Sequence, residues 1–255
     1  MAFNVTNFLS NDDIAVIDKK GPFQVIEYKR DLSVTPTTAQ TAYFCNEMNI
    51  RKRQAVCDLS KTENGITLQA GAMQWTAGNV KATSGIKGVG DLIGKTFKGK
   101  MTGESAIKPE YVGNGMLVLE PTYKHLFVLN TSDWNNAVVL TDGMFLACES
   151  HLKQKAVMRS NLSSAALGGE GLFNLSLEGE GLAVLESPVP YSELILIELN
   201  GDEVKIDGNM AIAWSKTLEF TVERSGKSLI GSAASGEGLV NVYRGTGKVL
   251  MAPVL

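Results

Sequence analysis

A short phrase of two glycines separated by one residue recurs three times in this chain of 255 residues. Apolar residues follow each copy, and the first glycines of successive copies are 66 residues apart in both intervals. The copies are Gly113-Asn114-Gly115, Gly179-Glu180-Gly181 and Gly245-Thr246-Gly247. Self-similarity at a fixed period is the signature of repeated structural units, so the chain is predicted to fold as one body of such units.

Two further markers recur around the glycine phrase in a constant order. They begin at Gly103, Gly169 and Gly236 for the upstream marker and at Gly71, Gly143 and Asn209 for the downstream marker. The downstream marker appears first in the chain, whereas the glycine phrase appears last. We therefore expect the first unit to be split between the two ends of the chain, with Leu255 close to the strands near Ala55. Such a split would close a ring and remove exposed strand edges.

The periodicity inside the units is that of β-strands. Apolar and polar residues alternate in Phe173–Glu178, which is typical of a half-buried strand. Continuous apolar runs at 126–129 and 194–197 predict strands covered on both faces. No long helical stripe is present, and 26 glycines interrupt the chain. The predicted fold is all-β: three pseudo-repeats in a closed β-barrel or prism of the double-stranded β-helix type, with the first repeat split.

Two regions are predicted along the chain. Residues 1–50 lie outside the repeat and form an N-terminal strand or hairpin extension, with strands at Phe23–Tyr28 and 42–45. Residues 51–255 form a single pseudo-threefold domain. Its repeats are expected at about 51–83 plus 236–255, 101–158 and 168–224.

Turns and connections are also visible in the sequence. Within the first unit, Asn64-Gly65 separates strand-like residues 55–57 and 66–68, which indicates a hairpin. Glycine- and serine-rich connections at 84–100, 160–169 and 225–236 occupy equivalent places in the repeat and are predicted to be surface loops. Each glycine phrase is expected to mark a bend or bulge, because glycine accepts positive φ and carries no Cβ.

Composition restricts the classes of function. A formal charge of −3 and a pI near 5.5 argue against a nucleic-acid binder, which needs a surplus of Lys and Arg. The three cysteines have no zinc-ligand spacing and are predicted to be small buried side chains in a reducing compartment. No signal peptide and no transmembrane segment are evident, so a cytoplasmic location is expected.

Signatures of catalysis and of cofactor binding are not found. Gly94-Lys95-Thr96 suggests a phosphate-binding loop, but the glycine that this motif requires at position 89 is a valine. His125 and His151 form no paired metal motif, and no GxSxG elbow is present. We therefore expect no catalytic residue, no cofactor and no metal site within one subunit.

Charged residues give only weak site candidates. Glu104, Glu170 and Glu237 follow the upstream glycines and would be related by the threefold repeat. They would either bind a cation or a basic partner, or satisfy the amides of turns. The basic cluster Arg51-Lys52-Arg53 is predicted to be a solvated loop.

Several phrases together carry a family resemblance. They are Gly-Gly-Glu-Gly-Leu-Phe at 168 to 173, Gly-Glu-Gly-Leu-Ala-Val-Leu at 179 to 185, Gly-Ala-Met-Gln-Trp at 71 to 75 and Gly-Glu-Gly-Leu-Val at 236 to 240. Over roughly residues 50 to 255, the chain resembles the altered inheritance of mitochondria 24 family. The resemblance implies three β-rich pseudo-repeats similar to the subunit of the tryptophan RNA-binding attenuation protein. Its mitochondrial members are associated with inner-membrane organisation. Asn114 and Thr246 depart from the family pattern, as do the first 50 residues.

Three hypotheses of function follow, in order of preference. The first is a non-catalytic binding or assembly protein that forms homo-oligomers through exposed edges or loops. The alternative is an enzyme of the cupin-like barrel type, with a metal held by carboxylates or on a subunit axis. RNA binding, by analogy with the ring-forming fold, ranks third because the chain is acidic.

Overall fold

The structure is a computed structural model that describes residues 3–83, 108–158, 173–224 and 239–254. These residues form two β-sheets and one α-helix, α1 (Ala39–Glu47), and every strand ladder between them is antiparallel. Short 3₁₀ turns lie at Leu59–Lys61, Thr131–Trp134 and Tyr191–Glu193. The all-β prediction is confirmed.

The first sheet contains nine strands and nearly closes into a barrel. Its strands are β1 (Ile14–Lys20), β2 (Phe23–Tyr28), β3 (Arg53–Asp58), β4 (Ile66–Leu68), β5 (Met73–Thr83), β6 (Glu110–Leu119), β7 (His125–Asn130), β9 (Phe145–Glu149) and β12 (Leu182–Ser187). Their order is β1-β2-β3-β6-β4-β9-β12-β7, with β5 also paired to β6. The ends of the sheet are therefore β1 and β7.

The second sheet contains seven strands. They are β8 (Ala137–Leu140), β10 (Lys153–Met158), β11 (Phe173–Glu178), β13 (Ile195–Asp207), β14 (Ala211–Ser215), β15 (Glu219–Arg224) and β16 (Leu239–Met251). Their order is β10-β11-β8-β14-β16-β13, with β15 also paired to β16. Strands β8 and β9 follow each other in sequence but lie in different sheets, so the chain crosses between the sheets there.

The glycine phrases lie where strands bend and approach each other. The first glycine of each phrase has a positive φ: 123° at Gly113, 113° at Gly179 and 116° at Gly245. L side chains rarely adopt this conformation. The second glycine is restricted by space instead, since a Cβ on Gly115 would lie 2.2 Å from the carbonyl oxygen of Ala77 in β5. Both glycines are needed for β6 to lie against β5.

Two apolar clusters form the main core. One fills the interior of the first sheet and includes Phe23, Leu117 and Val184. The other joins the two sheets, with Leu185 from the first and Leu250 from the second. A smaller cluster in the second sheet stacks the rings of Trp214, Phe220 and Tyr243 with centroids 5.1 to 5.4 Å apart. The two main clusters fix the position of β7, which borders the site described below.

The N-terminal region differs from the sequence prediction. Strand β2 matches the predicted strand, but residues 42–45 belong to α1 instead of a second strand. A run of four apolar residues cannot distinguish helix from strand, and here helix-forming Ala and Gln precede it. None of the residues of α1 is buried, and Tyr43 and Phe44 are more than half exposed. The partner of β2 in the hairpin is instead β1.

The predicted hairpin at Asn64-Gly65 is also wrong. Strands β3 and β4 do not pair with each other; each pairs separately with β6, with Val56 opposite Val118 and Ile66 opposite Tyr111. Gly65 does adopt a positive φ of 80°. The sequence therefore identified the glycine turn correctly, but the two strands that it joins lie end to end along one edge of β6.

The C-terminal strand β16 lies in the second sheet. It pairs with β13, β14 and β15, whereas β3 lies in the first sheet, so no strand pairing joins these two parts of the chain. The split of the first unit between 51–83 and 236–255 stays a prediction. The prediction for residues 194–197 is wrong: they are not covered on both faces, because Ile195 and Leu196 are 44% and 46% exposed, and in the described part of the chain β13 ends the sheet. An apolar run alone does not reveal which strand ends a sheet.

We expect Gly115→Ala to lower the free energy of unfolding by about 3 kcal/mol, because the new methyl group would force β5 and β6 apart. Gly143→Ala is the control: Gly143 has a φ of 78° with no atom within 4 Å of an added Cβ, so it tests positive φ alone. That variant should cost about 1 kcal/mol. Urea unfolding followed by circular dichroism measures both. Equal losses in the two variants would contradict the close approach.

Candidate functional site

The gap between the two ends of the first sheet is closed by side chains instead of backbone pairing. The Asp18 carboxylate of β1 accepts a hydrogen bond from the Val128 N–H at 2.8 Å, and the Lys20 ammonium donates to the Val128 carbonyl at 3.0 Å. On its other edge β7 pairs with β12, where Val128 lies opposite Val184. We call the gap between β1 and β7 the seam, and the contacts of Asp18 and Lys20 with Val128 the clasp.

Two cavities lie along the seam. The larger has a volume of about 750 Å³ and the smaller about 160 Å³. Both are lined by Lys20, Phe127, Val128 and Tyr191, so together they follow β7 on either side of the clasp. The larger volume is within the range of roughly 300 to 1,000 Å³ typical of ligand sites. We call the two cavities together the seam groove.

A buried ion pair borders the larger cavity. The Arg53 guanidinium bonds the Glu27 carboxylate at 2.7 Å, with the two side chains 7% and 24% exposed. Arg53 also donates to the backbone carbonyl of Arg51 at 3.1 Å. The prediction of a solvated loop for the basic cluster 51–53 is wrong for Arg53, which is buried in β3, whereas Arg51 and Lys52 lie before the strand and are partly exposed, with Lys52 paired to Asp31. The Arg53 side chain therefore holds β3 to β2.

Strand β7 begins at His125, which lines the same cavity. Burial lowers the pKa of its imidazole below the ordinary value of 6.5, and the Arg53 charge lowers it further, whereas Glu27 and Glu193 act in the opposite direction. The imidazole is therefore neutral at pH 7. No hydrogen bond to the His125 ring is found within the described residues, so both ring nitrogens are available to a ligand.

Apolar side chains surround the groove and remain exposed. Six of the large apolar residues that line the two cavities are at least 46% exposed: Ile17, Met48, Ile50, Tyr123, Tyr191 and Leu196. Tyr191 stacks against Phe127 with ring centroids 5.1 Å apart. We call these six residues the rim. Exposed apolar residues clustered around one groove are typical of interaction surfaces.

The site candidates from the sequence are distributed differently. Glu104, Glu170 and Glu237 lie outside the described residues, as do the loops 84–100, 160–169 and 225–236 and Gly94-Lys95-Thr96. The six glycines of the repeated phrases are described but do not line the seam groove. His151 is exposed and its Nε2 lies 2.7 Å from the Glu180 carbonyl oxygen. The two histidines are not brought together.

Cysteine and metal chemistry can be assessed in the described residues. Cys57 and Cys148 are buried, and burial raises the pKa of the Cys148 thiol to about 12. These two behave as core side chains, as predicted, but the prediction is wrong for Cys45, which lies on α1 and is only partly buried. No group of three or more His, Cys, Asp or Glu side chains that could hold a metal ion is found within the described ranges. There, too, no helix is long and apolar enough to cross a membrane.

Sequence reasoning did not identify the residues that define the seam. Asp18 and Lys20 are two positions apart on a strand and so share a face, which is the one signal that the sequence contains. Their partner Val128 is 108 residues or more away. Tyr191 and Glu193 lie in a 3₁₀ turn with no recognisable motif. Only the closure of the sheet brings these residues together.

Comparison with known proteins identifies relatives of this chain. A family model described as "Mitochondrial biogenesis AIM24" matches residues 48–254. An uncharacterised protein of Streptococcus pyogenes serotype M6 is 29% identical over 192 residues, covering 72% of this chain and 75% of the relative. The crystal structure of a Streptococcus pyogenes protein is similar with a TM-score of 0.57 and 27% identity, covering 80% of this chain and 89% of that one. The resemblance drawn from the repeated phrases is confirmed.

We expect Glu27→Gln to lower the free energy of unfolding by about 3 kcal/mol, because it leaves the buried Arg53 charge without its counter-ion. The matched control is Asp13→Asn, which breaks the pair between Asp13 and the 65% exposed Arg30. An exposed pair contributes less than about 1 kcal/mol. Chemical denaturation of both variants provides the measurement. A loss for Glu27→Gln no larger than for Asp13→Asn would show that the ion pair is not structural.

We expect the neutral state of His125 to give a pH-dependent stability. Because the folded-state pKa is below 6.5, the unfolded chain binds the proton more readily, so stability decreases as the pH falls below 6.5. His125→Gln should show a shallower decrease between pH 7 and pH 5 in thermal unfolding. In an NMR titration of the wild type, the His125 imidazole signal is identified by its absence from this variant. Its titration midpoint should lie below pH 6.5. A midpoint above 6.5 would refute the assignment.

Proposed function

This chain belongs to the mitochondrial biogenesis AIM24 family, and we propose that it is a non-catalytic binding or assembly protein that associates with other polypeptide chains, including copies of itself, at the seam groove and its rim. The family membership supports no particular reaction. The proposal is supported by the surface chemistry of the seam. Its ligand is a macromolecular surface instead of a small substrate.

The exposed rim is the observation that carries this proposal. A folded domain leaves single apolar side chains exposed as a matter of course, but contiguous ones mark binding surfaces. Tyr191 is 61% exposed and Met48 is 72% exposed, and both line the larger cavity. Burying such side chains against a partner would stabilise a complex by about 25 cal/mol per Å² of apolar area.

The helix α1 enlarges the same surface. Tyr43 and Ile50 line a further cavity of about 290 Å³, which shares Ile50 and Tyr123 with the seam region. None of the residues of α1 is buried, so the helix is held without a core contact of its own. An isolated helix of this length is marginal in water, and a partner that covers its exposed face would stabilise it.

Four of the ionisable groups of the groove are engaged in structural contacts, which favours binding over catalysis. Arg53 and Glu27 neutralise each other, and Asp18 and Lys20 are engaged with backbone groups of Val128. These interactions hold the walls of the groove in place. Catalytic carboxylates or bases are usually positioned toward a reacting atom, with their pKa values shifted for that task.

We also infer that three pseudo-repeats build the domain. This inference is supported by the positive φ at Gly113, Gly179 and Gly245, each in a strand or directly after one. Strands β6 and β16 further share a pattern, because each pairs with one long strand on one edge and with two short strands on the other. The likeness to the attenuation-protein subunit remains a prediction from the family resemblance.

The proposed function predicts that rim residues control self-association. We expect Met48→Ser combined with Tyr191→Ser to weaken the self-association constant about tenfold or more in sedimentation velocity, because two buried apolar contacts are lost. The control is Met73→Ser, which changes a 38% exposed methionine outside the groove. It should leave association unchanged. A wild-type chain that stays monomeric at all concentrations, with no partner captured at the rim, would contradict the proposal.

A further inference from the structure

We propose that the seam binds an extended, basic segment of another protein, which adds as a strand to the outer edge of β7 in place of the clasp. This proposal rests on the proposed function and specifies what the groove recognises. It concerns the backbone edge of β7 and the charges beside it, whereas the proposed function depends on the exposed rim. The two can therefore be tested separately.

The clasp has the hydrogen-bonding pattern of a missing strand. A neighbouring strand would offer a carbonyl to the Val128 N–H and an N–H to the Val128 carbonyl. The Asp18 carboxylate, at 2.8 Å, takes the place of that carbonyl, and the Lys20 ammonium, at 3.0 Å, takes the place of that N–H. Side chains of β1 thus satisfy backbone groups that a peptide backbone would satisfy equally well.

The rest of the edge is open to the same kind of partner. Leu126 and Asn130 lie two residues to either side of Val128, so their backbone groups point along the same edge. Within the described residues, no partner for these outward-facing groups of Leu126 and Asn130 is found. The seam groove follows this edge on both sides of the clasp. Peptides that add to an exposed sheet edge obtain their affinity from such groups and their specificity from adjacent pockets.

The charge of the larger cavity favours a basic segment. Glu193 lines this cavity, and its carboxylate has no ion pair or hydrogen bond in the described part of the chain. The other charges of the cavity are balanced, since Arg53 pairs with Glu27 and Asp18 is accompanied by Lys20. A lysine or arginine of the bound segment would therefore meet the Glu193 carboxylate. In the smaller cavity Asp133 is accompanied by Lys20 and Lys248, so that end of the segment has no such preference. Beside Glu193, the stacked rings of Phe127 and Tyr191 would receive an apolar side chain.

Binding requires the clasp to open. Adjacent strands are about 4.8 Å apart, so an added strand needs Asp18 and Lys20 to release Val128 and β1 to move away from β7. The β1–β2 hairpin that supplies the clasp lies outside the region matched by the family model, residues 48–254, whereas β7 lies inside it. The hairpin therefore competes with the segment for the same edge and lowers its apparent affinity.

The experiment uses the full chain and a fluorescent, capped seven-residue peptide of alternating lysine and valine as the probe. Three proteins are compared by fluorescence anisotropy: the wild type, Asp18→Ala/Lys20→Ala and the control Asp12→Ala/Lys19→Ala. The control removes the same charges from the same segment, but its side chains take no part in the clasp. Two probes are compared as well: the same peptide with alternate amides N-methylated, and a glutamate-valine peptide.

Strand addition predicts a specific set of results. The clasp variant should bind the lysine-valine peptide about tenfold more tightly than the wild type, because the competing contacts are removed, and the control should match the wild type. N-methylation should weaken binding about tenfold or more, since it removes backbone donors. The glutamate-valine peptide should bind more weakly than the lysine-valine peptide. Hydrogen exchange of the Val128 amide should be faster in the clasp variant and slower again with the peptide bound.

Other results would overturn the proposal. If N-methylation leaves binding unchanged, the peptide contacts the surface without joining the sheet. If the clasp variant self-associates more strongly without peptide, the occupant of the edge is a second copy of this chain. If no peptide binds while the Met48 and Tyr191 variants still alter self-association, strand addition fails and the proposed function stands. If the rim variants are also without effect, both proposals fail.

Discussion

The fold depends on how closely β5 and β6 approach at the glycine phrase. A Cβ on Gly115 would lie 2.2 Å from the Ala77 carbonyl oxygen, and a Cβ on Gly113 would lie 2.1 Å from the Asn79 carbonyl oxygen. No side chain larger than hydrogen fits either position without moving backbone. Because these glycines admit the close approach, β6 can bend and still pair along both edges. One edge takes β5, and the other takes β3 and β4.

This arrangement determines where the first sheet comes to an end. Strands β3 and β4 lie end to end along one edge of β6. The sheet therefore extends through β3 to the N-terminal hairpin and through β4 to β7. The two ends then meet at the seam, where backbone pairing is replaced by Asp18 and Lys20 on Val128. Proteins commonly protect exposed strand edges by charged side chains or by covering them. Here the protection is provided by two polar side chains, and the proposed addition of a strand to β7 depends on replacing them.

The groups that line the seam groove bear on the function of this protein. The groove has a buried ion pair between Arg53 and Glu27, a neutral imidazole at His125 and an apolar rim. Two of these groups have a physical role that does not involve a reaction: the ion pair fixes β3 to β2, and the rim offers apolar area to a partner. The family relationship supports the fold across residues 48–254, whereas the clasp comes from the hairpin before it.

The sequence by itself determined the class of fold, the family and the positions of the bends. Period-two alternation and the repeated glycine phrases depend on local geometry, which neighbouring residues express directly. It did not determine that residues 42–45 form a helix, that β3 and β4 avoid each other, or that β13 is an edge strand. Strand pairing joins residues that are far apart in the sequence, and many strand edges are chemically similar. The apolar–polar pattern along one strand therefore does not specify which strand pairs with it. The seam could not be predicted without the order of the strands, because Asp18 and Val128 meet only when the sheet nearly closes.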